Sequence, residues 1–426
     1  MKSIFIAALV VALPVTAGAA TLRVPQDHAT IQAAVDAASD GDTIVVQRGV
    51  YFENVISNGK HRLRFVGKKA IWDGAPDGSK DQCLNATGDG ITVQGFRLRN
   101  GSVRIVGDDA TVTRCVIRSA DETAVEISGR SATVTKNTLR GCYEGVEISG
   151  DDATVAKNTV TNMDDSGIDV RGDRAEVARN QVRVIEDGEG IYVRGDDAEI
   201  VRNKILNTDG SCIEVSGDDA VVERNRCTAS EDSALLYVYG DRFRVVANRV
   251  SLAVDDSDGM ELTAPTGGGL VERNLISDVV EDALELSGND VTFRNNRILY
   301  SGSEDDEGFA ISGHRNVLVG CQAIGCEGDA FDVSGDGNTL ERCKAVDALE
   351  DGFDISGVGN TLVSCTARNC DAEGLDNEGT GTIVRGGAFV GCGIDIACDE
   401  DAGASFATFA PRSFRTGGEH TQPRID

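Results

Sequence analysis

A motif of about 22 residues recurs almost without interruption from Arg104 to Asp376, and it limits what this chain can fold into more than any other feature. Between Glu126 and Leu139 it reads E-I-S-G-x-x-A-T-V-x-x-N-x-L, and its first position returns at Glu147, Asp169, Tyr192, Glu214, Tyr237, Glu261, Glu285, Ala310, Asp332, Asp354 and Asp376. A repeat of this length is one supersecondary unit that cannot bury its apolar face alone and must stack on its neighbours. Any chemistry therefore has to be sought along a stack.

Aligned, the copies become columns. The first position is polar with an apolar residue on each side, as in Val125 and Ile127, Val146 and Ile148, or Phe331 and Val333. That alternation is a short strand with one face inward. A second apolar column runs through Val134, Val155, Val177 and Ile200, and a third through Leu139, Val160, Val182 and Ile205. Three short strands per turn with Gly- and Asp-rich corners predict an all-β, single-stranded, right-handed parallel β-helix. The hand follows because parallel crossovers are overwhelmingly right-handed and the short hexapeptide repeat of left-handed solenoids is missing. Between the second and third columns an inward amide recurs at Asn137, Asn158, Asn180, Asn203, Asn225, Asn248, Asn274 and Asn296. Stacked at ~4.8 Å, such amides satisfy one another and the turn backbone, so this column is structural. Some fifteen turns at that spacing predict a rod of roughly 70 Å.

Exposed strand edges at the ends of a rod need covers. A helix from Thr30 to about Ser39, with Ile31, Ala34, Val35 and Ala38 on one face, is the expected N-terminal capping helix. Residues 1–20 read as a secretory signal, with Lys2 before an apolar stretch and a small-residue run at Ala17 to Ala20. Residues 21–398 are the expected solenoid, and 399–426 a polar tail or loose cap. No later segment approaches a membrane span, so the mature protein is expected to be secreted or periplasmic, and it is read as a monomer. Twelve cysteines in an exported chain raise the question of disulfides. Most fall in inward columns, with Cys115, Cys321, Cys343 and Cys365 in the amide column, which predicts core thiols. Cys370 and Cys392, on adjacent turns, come within disulfide reach.

The segment from Ile31 to Val55, I-Q-A-A-V-D-A-A-S-D-G-D-T-I-V-V-Q-R-G-V-Y-F-E-N-V, resembles the entry segment of right-handed β-helix proteins of the pectin-lyase-like superfamily. With the repeats, the resemblance covers about nine-tenths of the chain. It implies the fold, whereas the superfamily carries lyases, hydrolases, esterases, epimerases and adhesins.

Charge is the second strong signal. Seventy acidic against 41 basic residues give a net charge of −29, which argues against nucleic acid and anionic membranes as partners. Many acids stand in the first column, often with a second acid three residues earlier. Like charges in a file ~4.8 Å apart repel by roughly 0.9 kcal/mol per neighbouring pair even at the dielectric of water. Calcium is the natural counter-ion, since it accepts six to eight oxygens in flexible geometry. The expected metal residues are Asp329 with Asp332, Asp351 with Asp354, and Glu373 with Asp376. The alternative is a solvated acidic face that keeps the rod soluble.

A mixed patch on the same face combines Asp169, Arg171, Tyr192, Arg194, Glu214, Tyr237, Tyr239 and Glu261. Aromatic rings beside charged groups suit a sugar polymer, so Tyr192, Tyr237, Tyr239 and Glu261 are the expected substrate-binding residues and a polysaccharide the expected partner. Resemblance to the uronate lyases of the superfamily, in which calcium neutralises the substrate carboxylate and Arg or Lys takes the adjacent proton, implies Arg171 or Arg194 as base. It also implies Asp169 and Glu214 as calcium ligands. The structural alternative is a set of surface ion pairs worth little. The repeated G-D-D reads as a turn, and the four histidines form no triad. Two functions from different classes therefore stand. One is an exported protein that binds or processes polysaccharide, by calcium-assisted β-elimination where the polymer is a uronate. The other is a non-catalytic acidic scaffold binding glycan or calcium at the cell surface.

Overall fold

The computed structural model describes residues 18–74, 82–231, 233–253, 257–302, 306–398, 405–407 and 414–416. The expected signal segment lies largely outside them. The chain winds as about 17 turns of right-handed parallel β-solenoid. Each turn contributes a strand to three sheets, here numbered in the order the repeat visits them. Val125–Ser128 belongs to sheet 1, Thr133–Thr135 to sheet 2 and Thr138–Cys142 to sheet 3. Every strand pairs in parallel with its counterpart one repeat away, so Glu126 faces Glu147, Val134 faces Val155 and Leu139 faces Val160. The three apolar columns meet in one continuous core, lined by residues such as Val125, Ile127, Val134 and Leu139.

Helix α1 (Ile31–Ala37) buries Ile31, Ala34 and Val35 against the first turns. It stops two residues short of the expected end because Ala38 is already extended, although Ala38 remains buried. Thr30 Oγ1 accepts from Ala33 N, and the Glu53 carboxylate accepts from Ile31 N and Gln32 N, each at 2.9 Å. Glu53, the last residue of the G-V-Y-x-E element, thus satisfies amides that a helix start leaves without partners. Ser405–Ala407 extends sheet 2 beside Ile383–Arg385, and Phe414–Thr416 extends sheet 1 beside Ile396–Cys398.

The amide column forms the predicted ladder. Asn203 Nδ2 donates to Val177 O at 2.7 Å and to Asn225 Oδ1 at 3.1 Å, while Asn203 Oδ1 accepts from Asn180 N at 2.8 Å. The residue before each ladder Asn turns the corner from sheet 2 to sheet 3 in the left-handed region, with φ of 59° at Lys136, 60° at Lys157 and 57° at Arg179. A non-glycine residue there costs roughly 1–2 kcal/mol, which the buried amide bonds of the next residue offset.

A second ladder was not anticipated. Beyond Asn296 the column is filled by Cys321, Cys343 and Cys365, and Asn296 Nδ2 ends against Cys321 Sγ at 3.9 Å. The amides move to the corner between sheets 1 and 2, where Asn316 N donates to Asn338 Oδ1 and Asn338 N to Asn360 Oδ1, both at 2.8 Å. Earlier turns place Ala110, Ala132 and Ala153 there. A thiol is a weak acceptor, so turns that lose the amide at one corner regain it at another. The cysteines are buried except the partly exposed Cys392, as their inward columns predicted.

The same corner carries the G-D-D repeats, and its carboxylates are structural. Asp108 Oδ1 accepts from Arg130 N at 2.8 Å and Asp196 Oδ1 from Asp218 N at 2.8 Å. His61 and His314 occupy this file too, their Nδ1 atoms accepting from Asp89 N at 3.1 Å and Asp336 N at 2.8 Å. Their role is that of the aspartates they replace.

Candidate functional site on sheet 1

Strand register assembles the expected site residues on one face. Asp169, Tyr192, Glu214, Tyr237 and Glu261 are directly paired along sheet 1, and the file continues through Glu285, Ala310, Asp332 and Asp354 to Asp376. Two residues further along each strand, Arg171, Arg194, Ser216 and Tyr239 form a parallel file. Asp329, Asp351 and Glu373 stand three residues before the main file, at the corner entering sheet 1. Alternation along the strand creates these files, and in-register pairing aligns them.

Geometry separates the members. Asp169 is buried rather than open, and its Oδ2 is 2.7 Å from Arg171 Nη2 on the same strand. Its Oδ1 is buried without a hydrogen-bond partner. Burial outweighs the guanidinium and leaves the carboxyl of Asp169 above its usual range. Asp169 in turn holds the proton on Arg171 more firmly, a change opposite to what a base needs. Arg194 has no ion pair among the described residues.

Further along, a shallow groove of about 440 Å³ is lined by Ser211, Glu214, Ser233, Ala234, Tyr237, Asp258 and Glu261. Burial, then the charges of Asp282, Glu285, Glu281 and Glu261, push Asp258 up to about 7. Glu214 and Glu261 are raised for the same reasons, burial first and neighbouring carboxylates second. The Tyr237 phenol is raised by burial and by Glu261 and Glu214. Tyr237 therefore stays a neutral donor between two carboxyls, and Tyr239 stands more exposed beside it. Asp258 stands three residues before Glu261, in the position where the first column often has its second acid. Its burial comes from the packed turns around it, which a column alignment does not display.

The acidic end of the file is equally perturbed. Burial followed by neighbouring carboxylates pushes Asp329 and Asp354 up to about 7, and Asp332 is raised by burial, Asp282 and Glu378. Asp351, pushed up to about 8, also shares a hydrogen bond with Glu373. Oxygen donors of this kind suit a hard divalent cation. Their placement does not close a site around one. Asp329 Oδ1 accepts from Asp351 N at 2.7 Å and Asp351 Oδ1 from Glu373 N at 2.6 Å, so two of the six expected ligands stitch turns together. Among the described residues no three acidic, histidine or cysteine side chains converge as a metal centre. Asp354 Oδ1 is buried without a hydrogen-bond partner.

Comparison with known proteins matches this architecture. The family described as "Right handed beta helix region" matches residues 95–250 and 248–389, most of the chain. The chain belongs to the right-handed β-helix family. No curated protein matches the sequence. Among solved structures, XylC in complex with xylose is similar with a TM-score of 0.46 and 10% identity, over 68% of this chain and 80% of that one. A PL6 alginate lyase in complex with a trisaccharide gives 0.38 and 13%, over 87% and 86%. The periplasmic alginate epimerase AlgG gives 0.35 and 10%, over 93% and 82%. At these identities and TM-scores the likenesses carry no argument about this chain. Among the described residues no helix is long and apolar enough to cross a membrane.

Proposed function

We propose that this β-helix is an exported protein that binds and processes polysaccharide along sheet 1, with the groove between Glu214 and Glu261 at its centre. The observation that carries the reading is Asp258, a carboxyl pushed up to about 7 in a groove that also holds Tyr237, Glu214 and Glu261. A group titrating near neutrality can give or take a proton at a glycosidic linkage, and a half-buried phenol beside it offers a ring face and a donor to a sugar. For β-elimination of a uronate polymer, Arg194 fits the base role better than Arg171, whose proton Asp169 holds. The carboxyl route through Asp258 has the stronger geometric support.

Calcium enters this proposal as a loosely held counter-ion spread over Asp332, Asp354 and Asp376, not as an ion in a closed site. It would weaken the repulsion along the file and let an anionic polymer approach. The second reading, a non-catalytic scaffold binding glycan or calcium, is favoured by one observation. The groove is shallow and the turns beside it are too regular to wall it in.

The test is to incubate the full chain with pectate, alginate, polygalacturonate and neutral glucans, with and without chelator. Unsaturated products are followed by ultraviolet absorbance and new reducing ends chemically. Product that disappears in Asp258→Asn supports processing at the groove. Binding that weakens in Tyr237→Ala without any product supports the scaffold, and neither binding nor product refutes both.

A further inference from the structure

Sheet 3 has a charge opposite to that of the rest of the molecule. Its eight consecutive strands from Arg97–Arg99 to Arg249–Ala253 carry eight arginines or lysines and no aspartate or glutamate. This occurs in a chain with 70 acids and 41 bases. Among the described residues, Arg99 alone of these cations has an ion pair, with Asp73 at 2.7 Å. Arg183 Nε is buried with no hydrogen-bond partner.

The corner that feeds sheet 3 adds a second file. Arg114, Lys136, Lys157, Arg179 and Arg202 occupy the left-handed position of five successive turns, all exposed. None has an ion pair among the described residues, whereas the next corner residue, Arg224, pairs with Glu223. The left-handed backbone faces each ladder Asn inward and leaves the preceding cation in solvent, so the structural ladder itself generates the basic line. A groove of about 280 Å³ follows it past Lys157, Arg179 and Arg202, with Ala156, Ala178 and Val201 on its floor. Glu176 and Glu199 border that groove on the sheet 2 side, which turns the basic surface toward sheet 3.

We propose that sheet 3 and this corner form a binding track for a linear acidic polysaccharide, distinct from the groove on sheet 1. The corner cations lie in one straight file along the rod at ~4.8 Å per turn, and the strand cations flank it in two runs, Arg99, Arg118 and Arg140 in one column and Lys204, Arg226 and Arg249 in the other, the whole extending roughly 34 Å over eight turns. A compact anion meets one or two of them, whereas a chain carrying a carboxylate or sulfate on successive sugars meets the whole file. Guanidinium groups suit such oxyanions because they donate in pairs to both oxygens. Single-stranded nucleic acid fits less well, since these eight strands carry no aromatic residue on which a base could stack. A second copy offers its acidic file at matching spacing, but two chains of net charge −29 repel as wholes.

The assay is affinity electrophoresis of the full chain in gels containing polygalacturonate, dextran or poly(dT), with chelator throughout so that no cation bridges the acidic face. Retardation by polygalacturonate alone, fading with added salt, is the expected result. Arg118→Gln/Lys136→Gln/Arg140→Gln removes three exposed cations and is expected to weaken it about tenfold. Arg130→Gln/Arg174→Gln/Arg315→Gln removes the same charge from the corner between sheets 1 and 2 and is expected to change it by less than about twofold. Equal loss in both triple variants, no retardation of the parent chain, or equal retardation by poly(dT) would overturn the proposal. So would retardation that tracks self-association in sedimentation. The proposal is independent of the sheet 1 reading: if Tyr237→Ala abolished retardation while the sheet 3 variant kept it, the track would be on the wrong face.

Discussion

Asp354 offers the sharpest test of how the acidic file behaves. Its in-register neighbours are Asp332 and Asp376, one turn to either side, and its Oδ1 is buried without a hydrogen-bond partner. Asp354→Asn keeps the shape, gives up no bond made by Oδ1 and removes one charge from the middle of the file. Two neighbouring repulsions of roughly 0.9 kcal/mol each, at ~4.8 Å and the dielectric of water, predict a stabilisation of about 2 kcal/mol where all three groups are ionised. The pH dependence fixes the cause. The folded-state value is raised from 3.8 to about 7, so the native state binds more protons than the unfolded chain between those values, and stability falls as pH rises through that window. The gain from Asp354→Asn should accordingly be close to nothing at pH 4 and fully developed at pH 8. Urea unfolding of the parent and variant at both pH values, in chelator, measures it. An equal gain at both pH values would show that packing and not charge is responsible. A loss at pH 8 would show that the carboxylate has a favourable partner, and the repulsion argument would fail.

Other consequences are simpler to check. Calcium added at pH 8 should raise the thermal midpoint of the parent chain, and Asp332→Asn/Asp354→Asn should abolish that rise; an undiminished rise in the variant would place the ion elsewhere. Asn203→Ala removes one amide that serves Val177 O, Asn225 Oδ1 and Asn180 N, and should cost about 3 kcal/mol in denaturant unfolding through the buried groups left unpaired. An exposed substitution such as Lys204→Ala should change stability by no more than about 0.5 kcal/mol. With a thiol reagent the native protein should react first at Cys392, the one partly exposed cysteine, and the remaining thiols only on unfolding. Fast reaction at Cys343, whose thiol burial pushes well up, would contradict the stacked core.

Much of this was written in the repeat itself. Inward valines and isoleucines, the amides from Asn137 to Asn296, the capping helix and the file from Asp169 to Asp376 follow from periodicity. In a solenoid every contact is between residues one repeat apart, so alignment of the copies is already a contact map. What a column cannot carry is the behaviour of individual side chains within it. Asp169 and Asp354 belong to the same column and each has a buried unpartnered Oδ1, yet one lies against Arg171 and the other between the carboxylates of Asp332 and Asp376. Asp329 and Asp351, expected as ligands, also accept turn amides, because corner geometry decides which carboxylate oxygen meets a backbone N–H. The raised Asp258 depends on desolvation by the turns around it, a three-dimensional quantity. The basic line at the corner beside sheet 3 was present as the residues from Lys136 to Arg202 that precede the ladder Asn, but its outward direction came only with the left-handed corner. Sequence by itself determined the rod, its register and its files, since identical units can stack in only one such way. Tertiary structure decided which members of a file are buried, bonded or free, because those depend on what lies across the corner from each residue.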